Sequence, residues 1–141
     1  MKEIHTAIEI AAPGKRVWQI LTDFPAFPEW NPFILGIEGE ARAGSRLVVR
    51  FRGVTFRPRV LRAEASRELR WLGHLFFRGL LDGEHFFIIE EIAESRVRLV
   101  HGERFNGLLV PLLSRRLHRD TAGDFENMNR ALKARAEASA N

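Results

Sequence analysis

Between Ile4 and Ile10 the chain alternates, with Ile4, Thr6, Ile8 and Ile10 on one side and His5, Ala7 and Glu9 on the other. That period of two is the mark of a half-buried strand. Pro13 suits the first turn of a following helix, where its missing N–H leaves no bond unmade. Val17, Ile20 and Leu21, with Trp18 beside them, give that helix an apolar stripe. Pro25, Pro28 and Pro32 then restrict residues 24–33 to a short helical turn and bends.

Four or five strand-like runs follow. Leu47, Val49 and Phe51 alternate with Arg46, Arg50 and Arg52; Phe56, Pro58 and Val60 alternate with Arg57, Arg59 and Leu61, the proline marking an edge or bulge. Leu69 and Trp71 alternate with Arg70 and Leu72, a turn near Gly83 leads into residues 85–92, and residues 95–105 make the last strand before Asn106-Gly107 breaks the pattern. From about Leu108 the period becomes helical. Leu113, Leu117, Thr121, Phe125, Met128, Leu132 and Ala136 recur at steps of three and four, opposite Arg115, Arg119, Glu126, Arg130 and Lys133. The order predicts an α+β fold: two short helices after the first strand, then an antiparallel sheet of about six to seven strands curled around one long C-terminal helix. No repeat or linker interrupts it, so residues 1–141 read as a single domain.

Composition changes this picture little. The 141 residues are 45% hydrophobic and 28% charged, an ordinary globular balance. The chain has no cysteine, which excludes disulfides, thiolate metal sites and a cysteine nucleophile. The opening Met1-Lys2-Glu3-Ile4-His5 lacks the apolar stretch of a signal peptide, and no apolar run approaches the ~20 residues of a membrane span. A cytoplasmic protein is the expectation. Charge matters more: of 22 basic residues 19 are arginine, and nine of those fall between Arg42 and Arg70 against Glu64 and Glu68. Strand alternation sends Arg46, Arg50, Arg52, Arg57 and Arg59 to the solvent side.

The segment Ile8-Glu9-Ile10-Ala11-Ala12-Pro13, followed by Val17-Trp18, Leu21-Thr22-Asp23-Phe24 and Phe27-Pro28-Glu29-Trp30-Asn31-Pro32-Phe33, resembles the START-like (SRPBCC) superfamily, in its polyketide cyclase/dehydrase-like branch. Leu69-Arg70-Trp71, Gly83-Glu84-His85 and His101 to Leu109 extend the resemblance over nearly the whole chain. The resemblance implies a helix-grip fold with a cavity between sheet and helix that holds a hydrophobic small molecule, and it puts Trp30 and Phe33 at the mouth or lining. The inward strand faces supply Val49, Phe51, Trp71, His85, Phe87, His101, Glu103 and Phe105 as further expected ligand-binding residues, and the helix supplies Leu113 and Leu117. No catalytic set is common to the superfamily, and this chain has no tyrosine, so any proton donor must be His, Glu, Asp or Arg.

Glycine-rich phosphate loops, His-Glu-x-x-His, Gly-x-Ser-x-Gly and paired metal-spaced histidines are all missing, so neither a metal nor a cofactor is expected. Two histidines and a glutamate stand on otherwise apolar strand faces. If Ile89 pairs with Leu99, His85 lies opposite Glu103 and Phe87 opposite His101; a one-residue slip sets His85 against Arg104. Residues 85–92 are apolar on both faces, so the pattern leaves both registers open, and the resemblance favours the first. A buried His–Glu pair could act as acid and base, tie the structure together or orient a ligand. His5, His74 and His118 read as solvated. Residues 75–81, Leu-Phe-Phe-Arg-Gly-Leu-Leu, are apolar for a connection: they lid the cavity, form a dimer contact or touch a membrane, the lid being the first choice, or they simply extend the strands they join.

Three functions compete. The first is binding of a lipid, isoprenoid or polyketide-like molecule by a monomer or homodimer. The second is a cyclase or dehydrase with His85 and Glu103 as candidate catalytic residues. The third is an interaction domain using the Arg-rich face; nucleic acid is not expected, because Phe51, Phe56 and Trp71 point away from the arginines.

Overall fold

Strands form where the alternation predicts them, and they bracket the long helix. The structure, a computed structural model, describes residues 1–138, apart from the Leu117 side chain. The elements are β1 (Lys2–Ile10), α1 (Gly14–Thr22), a 3₁₀ turn (Phe24–Ala26), α2 (Phe27–Trp30), β2 (Gly36–Glu38), β3 (Val48–Phe51), β4 (Val54–Phe56), β5 (Arg59–Glu64), β6 (Glu68–Leu75), β7 (Leu81–Ala93), β8 (Arg96–Asn106) and α3 (Val110–Ala138). The antiparallel strands form a five-stranded sheet, β1-β8-β7-β6-β5, and a three-stranded sheet, β2-β3-β4. Short connections join the two sheets: Leu47 N–H donates to the Pro58 carbonyl and Val60 N–H to that of Ser45, both at 2.8 Å. This is the expected helix-grip architecture.

The strand count exceeds the expected range for two local reasons. β2 is only three residues long and leaves little alternation to read. The run around Pro58 divides into β4 and β5, because Pro58 has no N–H to give to a ladder and serves only as an acceptor. Arg46, Arg50, Arg52, Arg57 and Arg59 are all exposed, as alternation requires. Much of the basic face is internally paired: Arg50 meets Glu38 at 3.1 Å, and Arg70 meets Glu68 at 2.8 Å and Glu84 at 2.6 Å. The Arg70 guanidinium also roofs the Phe86 ring at 4.7 Å, which buries an aromatic on the convex side.

α3 turns Phe125, Met128, Leu132 and Ala136 into the concave side, all buried, while Arg115, Arg119, Glu126 and Arg130 stay exposed. Its start is pinned by Gly107, at φ 121°, where a Cβ would run into the Leu80 backbone. Leu108 and Leu109 then donate their N–H groups to the Gly79 and Leu80 carbonyls at 3.0 Å. Residues 76–80 form the turn that joins β6 to β7. Leu75 and Leu81 complete β6 and β7, while the Phe76 and Phe77 rings stand 82% and 61% exposed. His74 is not simply solvated: it lies on β6, half-buried, with Nδ1 2.7 Å from Asp82 Oδ1. Among the described residues no helix is long and apolar enough to cross a membrane.

Candidate functional site

Between the concave sheet and α3 lies a cavity of about 310 Å³. Its wall is built from inward positions of consecutive strands: Val49 and Phe51 on β3, Val54 and Phe56 on β4, Trp71, Gly73 and Leu75 on β6, then Leu81, Gly83 and His85 on β7. Glu103 and Phe105 on β8, Pro58, Thr121 of α3 and Phe33 complete it. Phe33 is set by a local device. The Asn31 side-chain oxygen accepts the N–H groups of Phe33 at 2.9 Å and Ile34 at 2.8 Å. This turn brings the Phe33 ring to 4.9 Å from Phe51 and 5.6 Å from Phe125, between centroids.

Of the expected wall residues, Phe33, Val49, Phe51, Trp71, His85, Glu103 and Phe105 do line the cavity. The others do not. Trp30 is half-buried against the main core, because the single turn of α2 directs its ring back onto Phe27, three residues earlier, at 5.1 Å. Phe87 and His101 lie one layer deeper, 1% and 0% exposed, behind the ring of His85. Leu113 packs into a smaller cluster around Ile4, Leu81, Phe105, Val110 and Phe125. The Leu117 side chain lies outside the described residues.

The β7–β8 register pairs His85 with Glu103, Phe87 with His101 and Ile89 with Leu99, the first of the two registers weighed above. His85 Nδ1 stands 3.2 Å from Glu103 Oε1, with the Glu103 side chain 17% exposed to the cavity side. Gly83 makes this possible: a Cβ there would collide with the other carboxylate oxygen, Oε2. The diagonal neighbour adds a contact that cross-strand pairing alone did not suggest, for His85 Nε2 lies 2.7 Å from His101 Nε2.

From His101 the chain of bonds continues inward. His101 Nδ1 is 2.8 Å from the side-chain oxygen of Asn129, the Asn129 amide nitrogen donates to Thr6 Oγ1 at 2.9 Å, and the Thr6 hydroxyl donates to the His101 carbonyl at 2.7 Å. Neither Asn129 nor Thr6 was among the expected site residues. The signal was present: Asn129 falls four residues after Phe125 on the apolar stripe of α3, and Thr6 sits among the inward isoleucines of β1.

The hydrogen positions in this chain follow from its end. A carbonyl only accepts, so the Thr6 hydroxyl is spent as a donor and must accept from the amide of Asn129. The Asn129 oxygen therefore faces His101, and Nδ1 of His101 carries a hydrogen. Burial, reinforced by the neighbouring charge of His85, holds His101 well below the usual imidazole range, so the ring is neutral and its Nε2 is a bare acceptor. His85 then donates from Nε2 and turns Nδ1 to Glu103.

A pH dependence follows. The folded state keeps His101 neutral where the unfolded chain, titrating near 6.5, gains a proton. Below that pH the unfolded state binds more protons, so stability from this site is full above about pH 6.5 and is lost as pH falls, by at most about 1.4 kcal/mol per unit. Denaturant titrations of wild type and His101→Gln from about pH 7.5 to about pH 5 are expected to diverge on the acid side, the wild type falling more steeply. Parallel profiles would sink the neutral-histidine assignment.

No described group of three or more His, Asp or Glu side chains could hold a metal ion. The arrangement is that of a helix-grip ligand-cavity protein, its apolar wall broken by the His85–Glu103 pair and Thr121. The chain belongs to the polyketide cyclase / dehydrase and lipid transport family, whose model matches residues 1–137. No curated protein matches the sequence. Among solved structures, a START superfamily protein from Mycobacterium smegmatis is 22% identical with a TM-score of 0.76, covering 98% of this chain and 99% of that one. A protein from Mesorhizobium loti is 15% identical with a TM-score of 0.82, covering 99% and 100%. Norcoclaurine synthase from Thalictrum flavum, in complex with dopamine and hydroxybenzaldehyde, is 12% identical with a TM-score of 0.75, covering 99% and 88%. At these identities the likeness is one of fold.

Proposed function

We propose that this domain binds a hydrophobic small molecule in the cavity between sheet and α3, with Glu103 as the polar contact that orients it. The observation that carries the reading is the wall itself: aromatic and aliphatic side chains from five strands and two connecting segments surround about 310 Å³, broken by the His85–Glu103 pair. A site of this kind holds its ligand by buried area and fixes its orientation by one or two polar groups. The volume lies at the low end of the roughly 300–1,000 Å³ range of ligand pockets, which favours a compact aromatic or isoprenoid skeleton over a two-chain lipid. The family's description, which includes lipid transport, supports the same class.

The test is an NMR titration with a neutral apolar compound such as 2-naphthol. Saturable shifts are expected at Phe51, Trp71 and Phe105, with the convex-face residues Arg70 and Arg104 unmoved. Shifts confined to the exposed rings of Phe76 and Phe77, or no saturable binding, would overturn the reading. Native mass spectrometry of the purified protein then looks for co-purified ligand.

One observation favours a second reading, an enzyme of the cyclase or dehydrase type. His85 and Glu103 form an acid–base pair whose carboxylate opens on the cavity. Turnover of a polyketide or lipid substrate that is abolished by His85→Ala or Glu103→Ala would put this reading in place of the first.

A further inference from the structure

We propose that the cavity selects ligands carrying a hydrogen-bond donor, a phenolic or alcoholic hydroxyl or an amine, which they present to Glu103 Oε2. This inference rests on the binding reading above and names the ligand class for that site. It follows from the direction of the bonds behind the cavity wall. Each link from the His101 carbonyl through Thr6, Asn129 and His101 has one possible direction, and the last one makes His85 donate from Nε2. Both ring nitrogens of His85 are thus engaged, one by His101 and one by Glu103.

The 3.2 Å contact between His85 Nδ1 and Glu103 Oε1 is attractive only when one of the two groups carries a proton there, since two bare acceptors would otherwise face each other in a site where His85 is 2% exposed. That proton has two possible homes, and both give the cavity the same face. With the proton on His85, Glu103 is a carboxylate and Oε2 accepts. With the proton on Oε1, Oε2 is the carbonyl oxygen of the acid and still accepts. Oε2 lies over Gly83, itself part of the cavity wall. Among the lining residues only Thr121 adds a hydroxyl, and no lysine or arginine is present to receive an anion. A ligand whose polar end only accepts, such as an ether, ketone or carboxylate, sets its lone pairs against those of Oε2.

The experiment compares 2-naphthol with 2-methoxynaphthalene, which matches it in shape but lacks the donor, by calorimetric or NMR titration of the full chain. A hydrogen bond to a charged or strongly polar acceptor predicts a preference for 2-naphthol of roughly tenfold or more. Glu103→Leu is expected to erase the preference. Glu103→Gln is expected to keep it, because the Gln amide can donate to His85 Nδ1 and leave its oxygen facing the cavity; this variant also covers the case in which the leucine variant fails to fold. Equal binding of both compounds to wild type overturns the donor rule while leaving the binding reading intact. A preference that survives in folded Glu103→Leu overturns it too, by showing that another group reads the hydroxyl. If neither compound binds, the binding reading fails, and this inference fails with it.

Discussion

Truncating Phe125 to alanine is expected to lower the free energy of unfolding by about 3–5 kcal/mol, the range for a fully enclosed aromatic whose site cannot collapse. Phe125 is 0% exposed and stacks on His101 at 4.1 Å, with His85 at 5.0 Å and Phe33 at 5.6 Å. It therefore couples α3 to the histidine layer and to the cavity wall together. Collapse into the vacated space is opposed by the hydrogen bonds that hold both histidines in place. Chemical denaturation of wild type and variant measures the difference. A loss below about 1 kcal/mol would mean that the sheet does not grip the helix at this point.

Asn129→Leu is expected to destabilise by about 1–3 kcal/mol, although leucine restores apolar volume on an apolar face. The reason is what it leaves behind. Asn129 is 2% exposed, and it takes up the hydrogen of His101 Nδ1 while giving one to Thr6. Leucine removes the side-chain acceptor of a buried N–H and leaves it only the Phe125 backbone, and unmade bonds in a dry site weigh more than made ones contribute. The same substitution frees the His101 ring to change tautomer, so the 2-naphthol preference is expected to shrink as well. Titration of the variant checks this, and an unchanged preference with full stability would show that the bond direction is not set by Asn129.

Periodicity was enough to place most strands and the long helix, because burial on one face imposes it. The inward face of 97–105 could be read directly, since Val97, Leu99 and Phe105 alternate with Arg96, Arg98 and Arg104, although Val100 is buried on the other face. The register of β7 against β8 could not, since Phe86 is buried on the convex face under Arg70 and residues 85–89 look apolar on both sides. Trp30 shows another limit: a single turn of helix has no period, so its ring direction depends on contact with Phe27 and not on pattern. Val54, Phe56 and Pro58 also form wall, which alternation alone does not show. What was missing was the closeness of the two sheets, which depends on the 45–47 and 58–60 connection. The His85–His101 contact is diagonal across the β7–β8 pair, so it follows only once the register is known, and the pattern of residues 85–92 leaves that register open.

The bond chain behind the cavity also bears on descent. Thr6, His101 and Asn129 come from the first strand, the last strand and the final helix, 95 and 28 positions apart along its links. Changing one of them reverses or removes a bond direction that the next residue depends on, so few single steps away from this set are neutral. The wall residues meet no such condition and can trade size for size. Across relatives, positions 6, 85, 101, 103 and 129 are therefore expected to change in concert, while the apolar positions around them drift with the ligand each lineage has come to hold.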